Sequence, residues 1–79
     1  MTNQEKYDKA FTETFNIENS RLAGLKYQEI KEWDSVGHME LISAIEDEFD
    51  IEMETDDIVD FSGYEKGKEI LSEKYSVKF

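Results

Sequence analysis

Apolar residues in this chain recur at three- and four-residue intervals and never in sustained alternation, and this restricts its fold more than any other feature. Tyr7, Phe11 and Phe15 are spaced by four, with Ala10 beside them and Glu5, Lys6, Lys9 and Glu13 facing away. Leu41, Ile42, Ile45 and Phe49 gather on one side of a second segment, with His38 at the upper end of the stripe. Tyr64, Gly67, Ile70, Leu71 and Tyr75 form a third stripe. A period of 3.6 residues places such sets on one face of an amphipathic helix. The pattern predicts an all-α fold: a small four-helix bundle of three longer helices and a short one, with a long loop between the first and second.

The boundaries follow from capping chemistry. The first helix is expected over Asn3–Phe15, capped by Thr2 or Asn3. The second should begin at Ser35 and end near Phe49, because Asp34 is a strong N-cap with its charge at the positive end of the helix dipole. A short third helix is expected over 56–61 and is broken by Ser62 and Gly63, and a fourth over 64–75. Gly67 lowers helix propensity by about 1 kcal/mol relative to alanine, so its presence predicts close packing of another segment. Between Asn16 and Asp34 the pattern is irregular, and Ile17, Leu22, Leu25, Tyr27, Ile30 and Trp33 are scattered anchors. One turn of helix is expected near Tyr27–Ile30, and the tail from Ser76 to Phe79 is expected to fray.

The chain has 79 residues, which fits one domain over 1–79 with a modest core and little room for a deep active-site pocket. It lacks cysteine, which excludes disulfides and thiolate metal sites. No stretch resembles a signal peptide or approaches the length of a membrane span, so a cytoplasmic protein is expected. The net charge of -11 disfavours nucleic acid and anionic lipid as partners and favours a monomer. The acids are concentrated. From Glu32 to Glu65 there are thirteen carboxylates and no lysine or arginine, and all nine basic residues lie outside that window. A run of this kind is usually a solvated surface. On the second helix, however, Val36, Met39, Glu40, Ser43, Glu46 and Asp47 share the side opposite the core stripe. Two apolar residues ringed by carboxylates near a helix start form a candidate contact patch for basic partners.

Ser35 stands at the head of that helix. A phosphate attached there would meet unpaired backbone N–H groups and the positive dipole end. A serine at a helix start is by itself a common capping feature. The stretch Glu32-Trp33-Asp34-Ser35-Val36-Gly37-His38-Met39-Glu40-Leu41-Ile42 is more specific, because it resembles the attachment motif of acyl carrier proteins. The similarity continues through Ala44-Ile45-Glu46-Asp47-Glu48-Phe49-Asp50-Ile51 and covers the spacing to the later helices. The resemblance implies that a phosphopantetheinyl transferase, using coenzyme A and magnesium, attaches 4'-phosphopantetheine to Ser35. Asp34 would help to place the transferase and its metal. The arm's thiol would hold acyl groups as thioesters, which accounts for a carrier without cysteine. The face from Val36 to Asp47 would dock acyl-loading and acyl-transferring enzymes with basic patches. The chain itself would not be an enzyme.

The chain departs from the family's common pattern in several places. Glu32-Trp33 replaces a Gly-Ala or Gly-Val type step, Gly37 stands where several members have an acid, and Met53-Glu54 replaces an Ile-Pro step. Trp33 and His38 resemble specialised carriers of polysaccharide modification or secondary metabolism rather than of general fatty-acid synthesis.

Three other readings compete. Asp34, Ser35 and His38 suggest a hydrolase, which needs a nucleophile bonded to an oriented base. Carboxylates between Asp47 and Asp57 suggest calcium, but the central glycine of a calcium loop is missing. An acidic helical interaction module without a prosthetic group would use the same face and predicts no modification of Ser35.

Overall fold

The computed structural model describes residues 1–79 and contains four α-helices and no β-strand. They are α1 (Asn3–Phe15), α2 (Ser35–Phe49), α3 (Thr55–Asp60) and α4 (Tyr64–Lys74). The first two coincide with the spans expected from periodicity and capping. Thr2 caps α1 in a capping box, its hydroxyl accepting from Glu5 N while Glu5 accepts from Thr2 N. Such a box stabilises a helix start by about 1 kcal/mol. Both α1 and α2 end on a left-handed residue, Asn16 and Asp50, whose short polar side chains tolerate that conformation.

A core of sixteen buried residues draws on α1, α2, α4 and the loops between them. Its centre is aromatic. Phe11 lies edge-on to Trp33 at 5.4 Å, Tyr7 contacts Tyr64 at 5.1 Å, and Phe61 packs against both Tyr7 and Phe11. Aromatic pairs in such geometries add about 0.5–1.5 kcal/mol each beyond their burial. The Tyr7 hydroxyl donates to the Tyr64 carbonyl at 2.6 Å, and burial pushes its pKa well above the ordinary phenol range. Gly67 has the expected role. A Cβ there would lie 2.2 Å from Phe61 Cζ and 2.3 Å from Tyr7 Oη, so α4 approaches the core as closely as only glycine permits.

Four expectations need correction. The helical turn in the first connection is a 3₁₀ turn at Asn19–Arg21, whereas Tyr27–Ile30 forms bends and turns. Helix α3 starts and ends one residue earlier than expected, and α4 stops at Lys74. The tail does not fray: Val77 is buried, Asn3 donates to the Lys78 carbonyl, and Phe79 lies edge-on to Tyr7. Finally, Asp57 is not part of a solvated acidic surface.

Asp57 is 3% exposed. Its two oxygens accept from Lys74 Nζ at 2.7 Å and from the Tyr75 hydroxyl at 2.6 Å. The Tyr75 oxygen in turn accepts from Glu54 N, so the end of α4 grips the start of α3. The bonds from Lys74 and then Tyr75 hold the Asp57 carboxyl below its usual pKa of 3.8. A lowered folded pKa means that the fold favours the charged form. That contribution is complete above the ordinary carboxylate value and is lost as pH falls through the lowered one. Asp57→Asn is therefore expected to lower the urea midpoint at neutral pH, with the gap to the parent closing in acid. Urea titrations of both proteins across that range check this; a gap that is absent, or constant with pH, would contradict it.

Candidate functional site

The connection before α2 is held by contacts distant in sequence. Tyr27 N donates to the Ser62 carbonyl at 2.9 Å and Tyr64 N to the Leu25 carbonyl at 2.7 Å, which ties the loop to the α3–α4 junction. Trp33 is wholly buried. Its N–H donates to Ile30 O and its carbonyl accepts from Gln28 N, so a tight turn delivers Asp34 to the head of α2. There the Asp34 carboxylate accepts from Gly37 N at 2.8 Å and Asp34 O accepts from His38 N, also at 2.8 Å. Asp34 is thus the cap, which leaves the Ser35 hydroxyl outside the capping arrangement.

Ser35 is exposed as the first residue of α2. Beside it Val36 is 68% and Met39 52% exposed, and Glu40, Ser43 and Asp47 are also at the surface. Glu46 differs. It is half-buried, and one of its carboxylate oxygens accepts from Met53 N at 2.8 Å, bracing the loop that leads to α3. Only two acids of the long run have a basic partner within ion-pair distance, Glu48 with Lys9 and Asp57 with Lys74. Glu40 and Asp47 on α2, and Asp56 and Asp60 on α3, carry uncompensated charge.

A groove of about 350 Å³ opens next to Ser35. One wall is α2, through Ser35, His38 and Met39. The other is α3 and the residues after it, through Ile58, Val59, Phe61 and Ser62, with Tyr27 closing one side. The lining is mostly apolar. Val59 is 75% exposed and extends the apolar patch of Val36 and Met39 onto α3.

His38 is half-buried and both of its ring nitrogens are engaged. Nδ1 accepts from the Trp33 indole N–H at 2.9 Å, and Nε2 faces the Ile58 carbonyl at 2.8 Å. Since Nδ1 accepts, Nε2 carries the proton and donates to that carbonyl. Asp34, Ser35 and His38 are neighbours, yet no side-chain hydrogen bond joins any two of them. The carboxylate serves Gly37 and the imidazole serves Trp33 and Ile58. The relay of a hydrolytic triad is not assembled.

No protein-family model matches the chain, and no curated protein or solved structure is significantly similar to it. No helix is long and apolar enough to cross a membrane.

The sequence did not disclose the groove, Val59 as part of its rim, or the bridge that His38 makes. Val59 sits in a six-residue helix, too short for a period to show which of its apolar residues stay at the surface. The His38 bridge had one local hint: an indole five residues before an imidazole, either side of a helix start, is a donor facing a possible acceptor.

Proposed function

We propose that this chain is an acyl carrier, holding acyl groups as thioesters on a 4'-phosphopantetheine arm joined to Ser35 through a phosphodiester. The observation that carries the reading is the free serine hydroxyl. It is exposed at the tip of a capped helix, outside any side-chain hydrogen bond, in the sequence context that resembles the family's attachment motif. When attached, the arm supplies the thiol that the chain lacks. The protein's own residues would do the rest. Asp34 keeps the helix start ordered, so the hydroxyl is presented in one place. The positive end of α2 offsets the phosphate's charge.

Val36 and Met39 offer apolar contact area, and Glu40 and Asp47 steer basic partner surfaces toward it. Partners are then a phosphopantetheinyl transferase and acyl-transferring enzymes with basic docking patches. A hydrolase reading would need His38 to take the serine proton, and both of its nitrogens are bonded elsewhere. The uncompensated acids would also suit an interaction module without a prosthetic group, so the deciding measurement is covalent. Incubation with coenzyme A, magnesium and a broad-specificity phosphopantetheinyl transferase is expected to add the mass of one phosphopantetheine. No gain under conditions that modify a control carrier would overturn the carrier reading in favour of the module.

A further inference from the structure

A hydrogen bond joins the two walls of the groove. His38 belongs to α2 and Ile58 to α3, both line the groove, and the His38 Nε2–H bond to the Ile58 carbonyl spans the gap between them at 2.8 Å. Behind the imidazole lies the Trp33 indole, tilted only 16° from it, with ring centroids 6.1 Å apart and the N–H to Nδ1 bond joining their edges. The two rings form a nearly flat plate running from the buried side of the loop to the backbone of α3. Its inner part is fixed, since Trp33 is fully buried and packs against both Phe11 and Phe15. Its outer part is flanked edge-on by Tyr27 at 5.3 Å and Phe61 at 6.0 Å.

We propose that His38 is a depth stop that limits this carrier to short acyl chains. The inference rests on the carrier reading, because it takes the occupant to be a chain tethered at Ser35, itself part of the groove's lining. Above the plate, a few methylenes meet Met39, Ile58 and Val59 and leave water. To go deeper, a longer chain has to displace the imidazole, which leaves the indole N–H and the Nε2–H without partners and the Ile58 carbonyl with only its long bond from Phe61 N at 3.4 Å. Each group left unsatisfied opposes the gain from burying further methylenes. The imidazole therefore determines specificity through its two hydrogen bonds, not through acid–base chemistry.

The test does not depend on the transferase. The chain has no cysteine, so a Ser35→Cys variant offers one thiol at the groove mouth. Alkyl methanethiosulfonates from methyl to dodecyl place chains of graded length there. Thermal midpoint and the indole N–H resonance of the single tryptophan are the readouts. With His38 present, the midpoint is expected to rise over the shortest chains and then level off, and the indole resonance to stay where the methyl adduct has it. In the His38→Ala background the octyl adduct should melt about 5 °C or more above the methyl adduct.

His38→Gln should keep the stop, since its amide can accept from Trp33 and donate to Ile58. A midpoint that climbs through dodecyl with His38 intact, or an indole resonance that moves with chain length, overturns the depth stop. So does a His38→Ala protein that gains nothing from octyl. If His38→Ala does not fold, the His38 and His38→Gln series decide the question through the same two readouts. Because coenzyme A is not involved, failure here is distinct from a failed mass gain on Ser35.

Discussion

Gly37→Ala is expected to lower the unfolding free energy by about 2 kcal/mol, or roughly 10 °C in Tm. A Cβ at this position would lie 1.9 Å from the Glu32 carbonyl oxygen, 3.1 Å from its carbon and 3.3 Å from Phe15 Cε1. The nearest obstacle is backbone and cannot rotate away. Either α2 or the 30–33 turn has to shift, and that turn carries buried Trp33 and delivers the Asp34 cap. Overpacking of this kind destabilises by about 1–3 kcal/mol and sometimes more, while alanine's better helix propensity returns up to about 1 kcal/mol. Thermal melts of Gly37→Ala beside Ser43→Ala, an exposed site on the same helix, give the comparison. The Ser43 variant should stay within about 0.5 kcal/mol of the parent. A Gly37→Ala protein as stable as the parent would show that the turn does not press on the helix.

The same contact excludes any larger residue at position 37. An acidic side chain in place of Gly37 would meet the Glu32 carbonyl. The loop comes this close because Trp33 is drawn fully into the core and brings its neighbour Glu32 with it. Glycine at 37, tryptophan at 33 and histidine at 38 thus work as a set. The indole needs room beside the helix start, and its N–H needs the imidazole as acceptor.

What could be read from the sequence was local. Helices α1 and α2 were legible to the residue because their caps and their periodic stripes lie in the same stretch of chain. The connection between them was not. Its order comes from Tyr27 N to Ser62 O, Tyr64 N to Leu25 O and the Trp33–His38 pair, and the first two join residues 35 and 39 positions apart. Asp57 shows the same limit. It sits among thirteen acids that look alike, and what buries it is a lysine and a tyrosine 17 and 18 residues further on. The candidate site divides likewise. Ser35, its cap and the patch of Val36 and Met39 share one helix and were visible from spacing alone. The groove needed walls from α2, α3 and Tyr27 at once, and no single-segment pattern encodes that meeting.

Ser35→Ala should show no gain of mass with coenzyme A and the transferase, while its unfolding midpoint stays within about 0.5 kcal/mol of the parent. The hydroxyl is exposed, and the cap belongs to Asp34, whose carboxylate takes Gly37 N. Removing the oxygen therefore deletes the proposed attachment point without deleting a contact. Asp34→Ala is the informative counterpart: it should lower stability by about 1 kcal/mol through loss of the cap. If helix order at this end is what presents the hydroxyl, that variant should also be modified more slowly. Continued mass gain in Ser35→Ala would move the attachment point to another residue. A stability loss as large as that of Asp34→Ala would instead make the serine a structural part of the helix start. The separation of these two neighbours, one holding the helix and the other left free, distinguishes a presented hydroxyl from a capping one.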